Sequence, residues 1–145
     1  MPHPFLASIH RAWRHIGRHL EQEGLPLGVS GTEAHLLSYL TVYGPCPVGQ
    51  LAEAFGIKPS TLTSILKRLE KAKAVMRRVD PKDRRSFLLE LTPEGSLIAE
   101  QIHRRLEEFE EEIRIRTSEE EVEGFVSVMV AVNEVTRISA MEESG

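Results

Sequence analysis

A glycine followed three positions later by a proline, Gly56-Ile57-Lys58-Pro59, interrupts two amphipathic runs, and few arrangements accept that punctuation. Glycine ends a helix at little steric cost. Proline fits the first position of the next one, where its missing N–H would have had no partner. Before the break, Val48 to Phe55 places Leu51, Ala52 and Phe55 on one side. After it, Pro59 to about Ala72 turns Leu62, Ile65, Leu66 and Leu69 inward. The same spacing leaves Ser60, Thr61, Thr63, Ser64, Lys67, Arg68 and Lys71 outward or flanking. A short helix, a tight turn and a second helix with a polar, basic outer face form a helix-turn-helix pattern.

Beyond Ala74 the chain turns extended. Val75 to Val79 and Phe87 to Leu91 alternate, and Asp80-Pro81-Lys82-Asp83-Arg84-Arg85 between them reads as a turn, so a β-hairpin with a basic tip is expected. Helices fill the rest of the chain. Phe5 to Leu20 carries one apolar face and ends at Gly24-Leu25-Pro26. Ser30-Gly31-Thr32-Glu33 is a capping box opening a helix that buries Ala34, Leu36, Leu37 and Leu40 and stops at Gly44-Pro45. Thr92-Pro93-Glu94 starts a long helix to about Ile115. Ser118-Glu119-Glu120-Glu121 is a second capping box, heading a helix expected to bury Val122, Phe125, Val126, Met129, Val132 and Val135.

A net charge of −4 on 145 residues argues at face value against nucleic acid. The distribution reverses that. Lys58 to Ser86 holds ten basic residues against three acidic ones, a surplus of seven, whereas the remainder has eight basic and nineteen acidic. A basic surface mounted on a helix-turn-helix and a hairpin tip is the footprint of duplex DNA binding. The helix suits the major groove, and the hairpin arginines suit the adjacent minor groove. Lys67, Arg68, Lys71, Arg77 and Arg78 are then expected phosphate contacts, and the Asp83 carboxylate is placed to hold the Arg85 guanidinium extended.

Other classes have little support. The longest apolar stretch, Phe125 to Val132, is too short to span a bilayer, so no membrane partner is expected. Met1 to Phe5 has no basic stretch leading into an apolar run, so no secretory signal is expected. A single cysteine, Cys46, excludes an internal disulfide, suits a cytoplasmic setting and reads as a passive thiol. No nucleophile elbow, phosphate loop or zincin motif suggests an enzyme, and no cofactor is expected. His15 and His19, with His10 nearby, have metal-ligand spacing but nothing to complete a site, and His35, His103 and Glu107 are a weaker alternative. Trp13 is a candidate wall for a small-molecule pocket. The faces of Leu6, Ile9, Trp13, Ile16 and Leu20 and of the last helix exceed what a domain of this size needs, which fits a dimer.

The runs Leu51-Ala52-Glu53 to Leu69-Glu70-Lys71, Asp80-Pro81-Lys82-Asp83-Arg84-Arg85 and Leu91-Thr92-Pro93-Glu94-Gly95 resemble the winged-helix core of the MarR (multiple-antibiotic-resistance regulator) family. The resemblance implies a mainly α fold with a small β-hairpin wing. It divides the chain into a winged helix-turn-helix domain at 30–92 and a dimerisation region of 4–24 with 93–140. It also implies a homodimeric, sequence-specific transcriptional regulator on a pseudo-palindromic operator, a repressor released by a small-molecule effector. By position, Pro59 to Lys71 is then the recognition helix, with Asp83 and Arg85 as the wing-tip pair beside Arg84. Two departures stand out. Thr63-Ser64 lacks the arginine frequent there, shifting base readout to Ser60, Thr61, Thr63 and Lys67. Lys71-Ala72-Lys73-Ala74 lacks the usual glycine, so a positive φ at Lys73 would carry strain. The alternatives are a winged helix used as a protein-interaction module and a metal-sensing regulator of the same fold.

Overall fold

A computed structural model describes the backbone of residues 4–22 and 29–144 and the side chains of residues 5–22 and 29–137. The expected helix end at Gly24-Leu25-Pro26 lies outside the described residues. The elements run α1 (Pro4–Gln22), α2 (Gly31–Tyr43), β1 (Cys46–Pro47), α3 (Val48–Phe55), α4 (Pro59–Lys71), β2 (Val75–Val79), β3 (Phe87–Leu91), α5 (Pro93–Arg114) and α6 (Glu119–Ser144). They form two compact units, Met1–Arg104 and Arg105–Gly145, with the boundary inside α5.

In the first unit the core is aliphatic. Leu36 and Leu37 of α2, Leu51 of α3, Leu62 and Leu66 of α4, Leu89 of β3 and Ile102 of α5 are all fully buried. These are the inward positions of each amphipathic pattern, so burial of the apolar stripes is what assembles the unit. The sheet order is β1-β3-β2, all antiparallel. The hairpin pairs Val75 with Leu91 at its root and Val79 with Phe87 near its tip. Its third strand, β1, is an addition to the expected hairpin. It is only two residues long, with Cys46 opposite Leu89 and Pro47 opposite Leu88. The peptide bond before Pro45 is cis.

The junction between α4, the hairpin and α5 is closely packed. Lys73 has φ +60, so the strained backbone expected from the missing glycine is present. The Thr92 hydroxyl donates to the Lys73 carbonyl at 2.6 Å, accepts from the Gly95 N–H at 2.9 Å and so caps α5. Thr92 N–H donates to the Ala74 carbonyl at 3.1 Å. Gly95 lies so close to Ala74 that a Cβ there would fall 1.8 Å from that carbonyl oxygen. Only glycine fits.

The second unit holds the end of α5 and all of α6, joined by a turn in which Thr117 N–H donates to the Arg114 carbonyl. Ser118 caps α6 by accepting from the Glu121 N–H at 3.1 Å, and its hydroxyl meets the Glu121 carboxylate at 3.1 Å. In the α2 box the glutamate accepts from the backbone N–H of its capping serine instead. The expected burial of the α6 stripe needs correction. Phe125 is 60% exposed and Val135 65%, with Val126, Val128 and Val130 also exposed and only Val122, Met129 and Val132 half-buried. The physical reason is that α6 is apolar on more than one side, and a two-helix unit offers it one contact face.

Candidate nucleic-acid interface

Gly56 ends α3 in the left-handed region at φ +59, and Ile57 N–H returns to the Ala52 carbonyl at 3.2 Å. Lys58 in extended conformation then starts α4, with Pro59 at its first turn. Leu62, Ile65, Leu66 and Leu69 are buried, so the opposite face is fixed outward. Ser60, Thr61, Thr63, Ser64, Lys67, Arg68 and Lys71 are all exposed on it or beside it. Thr63 and Ser64 donate their hydroxyl protons to the carbonyls of Pro59 and Ser60, at 2.9 and 3.3 Å. Their oxygens therefore face outward chiefly as acceptors.

The cations divide into two groups. Arg68 pairs with Glu33 of α2 at 3.0 Å, Arg77 with Glu70, and Arg78 with Glu90 at 3.4 Å. Lys58, Lys67, Lys71, Lys73, Lys82, Arg84 and Arg85 are exposed, and their side chains carry no ion pair among the described residues. The three pairings were not legible in the sequence. Arg68 and Glu33 are far apart in the chain, and Arg77 and Glu70 are brought together only by the β2 strand folding against α4.

The wing tip is held by its two aspartates. Asp80 Oδ1 accepts from Lys82 N–H at 2.9 Å, and Asp83 Oδ1 accepts from Arg85 N–H at 3.1 Å. Asp83 Oδ2 accepts the Ser86 hydroxyl at 3.2 Å. This corrects one expectation: Asp83 orders the backbone of the turn and does not grip the Arg85 guanidinium. An aspartate bonding its own backbone two residues on is the standard local geometry for that residue in a turn, and it outcompetes a longer reach to a solvated guanidinium.

Residues 29–87 match the family model described as the MarR family. This winged-helix unit belongs to the MarR family. The uncharacterized HTH-type transcriptional regulator YsmB of Bacillus subtilis (strain 168) is 27% identical over 141 residues, covering 94% of this chain and 97% of its own. The HTH-type transcriptional repressor MdtR of the same organism is 35% identical over 75 residues, covering 52% and 48%. Among solved structures, S. aureus MepR in its DNA-binding conformation aligns with a TM-score of 0.74 at 24% identity, over 91% of this chain and 95% of that one. A mutant MarR from E. coli complexed with operator DNA aligns at 0.73 and 24%, over 89% and 93%. At that identity the structural likeness speaks for the fold, which is the MarR-type winged helix. The relatives are named as transcriptional regulators, not as enzymes.

Away from this face, Trp13 lines a cavity of about 230 Å³ with Ile16, Leu20, Gly31 and His35. The indole stacks on the His35 ring with centroids 6.3 Å apart. His35 Nε2 is buried and has no hydrogen-bond partner among the described residues, and burial pushes its pKa below the usual histidine value. His103 Nδ1 is hydrogen-bonded to the Ser38 hydroxyl at 2.7 Å. Among the described residues no three His, Cys, Asp or Glu side chains come close enough to hold a metal ion, so the metal-sensing constellations are not assembled. Cys46 is buried, which raises its thiol pKa. No described helix is long and apolar enough to cross a membrane.

Proposed function

We propose that this MarR-family regulator acts as a homodimer on duplex DNA, repressing transcription from a pseudo-palindromic operator. In this reading Ser60, Thr61, Thr63, Ser64 and Lys67 of α4 face base edges in the major groove, and Lys71 meets phosphate. Arg84 and Arg85 reach the neighbouring minor groove from the wing tip, with Asp83 ordering the turn that presents them. Arg77 and Arg78 are consecutive in β2 and so point to opposite faces of the sheet, each sharing its charge with a carboxylate, so their phosphate contacts are weaker than those of the lysines.

The observation carrying the proposal is that, of the ten cations between Lys58 and Ser86, Lys67 and Lys71 of α4 and Lys82, Arg84 and Arg85 of the wing tip have no ion pair among the described residues and sit beside a row of outward hydroxyls. Net charge hides this; pairing reveals it. Two-fold assembly is supported by α6, on which Phe125, Val126, Val128 and Val130 stay exposed among the described residues. Two recognition helices must then sit roughly 34 Å apart to enter successive major grooves. The Trp13 cavity suits a compact effector that stacks on the indole, and a shift of a few ångström in that spacing releases the DNA.

A titration of duplex binding against salt tests the proposal. A steep negative log–log slope, about −0.9 for each phosphate contacted, is expected. A flat slope rejects it and favours an acidic protein partner. Sedimentation tests the dimer: Phe125→Glu should convert a concentration-independent dimer into a monomer, and an unchanged species would remove α6 from the interface.

A further inference from the structure

Glu33 is the one buried charged residue among the described residues, 6% exposed, and both of its carboxylate oxygens are in use. Oε2 accepts from the Ser30 N–H at 3.2 Å, closing the cap of α2, while Oε1 pairs with the Arg68 guanidinium at 3.0 Å. The Ser30 hydroxyl in turn accepts from the Glu33 N–H at 3.2 Å. One side chain therefore ties the first turn of α2 to the outer edge of α4. A carboxylate removed from water needs such partners, and the Arg68 guanidinium supplies the cationic one.

We propose that Glu33 and Arg68 are a positioning pair that sets the orientation of α4 in the groove, and that Arg68 is not a phosphate contact. Arg68 differs from Lys67 and Lys71 on the same helix. Its guanidinium is drawn back onto α2 while those ammoniums have no partner among the described residues. The side chain is 65% exposed, so it has solvent to reach into, yet its charge is already committed to a buried acid. The contact runs from one terminal guanidinium nitrogen, Nη2, to the Glu33 carboxylate, at the end of a side chain long enough to reach from α4 to the first turn of α2. Apolar packing of Leu62, Ile65, Leu66 and Leu69 fixes which face of α4 points inward. Such packing resists a small rotation about the helix axis only weakly, and the ion pair supplies that missing restraint.

This inference rests on the DNA-binding reading, so its test separates the two. Duplexes enriched from a random-sequence pool by the wild-type protein, and an unselected random duplex, are titrated across salt with wild type, Arg68→Ala, Arg68→Lys and Glu33→Gln. Arg68→Ala and Glu33→Gln should each lose about tenfold or more on the enriched duplex and less than about twofold on the random one, with unchanged salt slopes. Arg68→Lys, which keeps a cation for Glu33, should recover part of the loss. If Arg68→Ala weakens both duplexes equally and flattens the slope by about 0.9, Arg68 is a phosphate contact and the proposal fails. Unchanged binding to the enriched duplex by Arg68→Ala also overturns it. A wild-type protein showing no salt-dependent duplex binding would overturn the DNA reading, and this proposal with it. Should Glu33→Gln unfold, Arg68→Ala decides alone, because it leaves the α2 cap intact.

Discussion

The Asp83 carboxylate takes its hydrogen bond from the backbone N–H of Arg85 at 3.1 Å, leaving the guanidinium of that arginine without a partner among the described residues. The two residues therefore have separable roles. Arg85→Ala is expected to flatten the salt slope of duplex binding by about 0.9. Asp83→Ala should leave the slope unchanged and lower affinity by about 1 kcal/mol, because a loosened turn must be ordered on binding. Asp83→Asn, which keeps an acceptor for the backbone N–H, should fall closer to wild type. Equal slopes for Arg85→Ala and wild type would remove the wing from the interface.

Gly95 offers the sharpest stability test. A Cβ 1.8 Å from the Ala74 carbonyl oxygen forces backbone to move, so Gly95→Ala should destabilise by about 3 kcal/mol in urea unfolding. Thr92→Val removes the hydroxyl that caps α5 and anchors Lys73, for a loss of about 1 kcal/mol. A Gly95→Ala protein with a wild-type midpoint would refute the packing.

Lys73 points the other way. At φ +60 its side chain strains the backbone, and Lys73→Gly should raise stability by about 1 kcal/mol. The carbonyl that receives the Thr92 hydroxyl is retained. A destabilised Lys73→Gly variant would mean that the side chain contributes a contact larger than the strain.

Burial lowers the His35 pKa in the folded chain, so the unfolded chain takes up its proton first as pH falls. Stability from this residue is complete above the unfolded value, about 6.5, and declines as pH drops toward the folded value. Urea midpoints for wild type should fall between pH 7.5 and pH 5.5 more than those of His35→Phe, which has no proton to gain. Parallel midpoints in the two proteins would show that the ring is solvated in the folded chain.

Much of the fold was legible because its signals are local. The Ser30–Glu33 box, the Gly56 turn, Pro59 at the start of α4 and the alternation of β2 and β3 each specify structure within a few residues. β1 was not legible, since its two residues, a cysteine and a proline preceded by Pro45, carry no periodicity and pair only because β3 has a free edge. The outward residues of α4 follow from helical spacing. Which of the arginines is neutralised does not, because Glu33, Glu70 and Glu90 meet their partners only through tertiary folding. The carboxylate–guanidinium link expected between Asp83 and Arg85 lost to a shorter-range competitor, the backbone itself.

The contact of Gly95 with Ala74 has a mechanical consequence. It sits at the root of the hairpin, beside the Val75–Leu91 pair, and leaves no gap in which motion of the start of α5 could be absorbed. Strands of five residues at about 3.3 Å per residue carry the wing tip roughly 17 Å from that root. A tilt of about 10° there sweeps the tip through about 3 Å, the length of one hydrogen bond. The hairpin thus works as a pointer with a stiff pivot: small rotations at the helix are delivered at Arg84 and Arg85 as a full step on or off a groove.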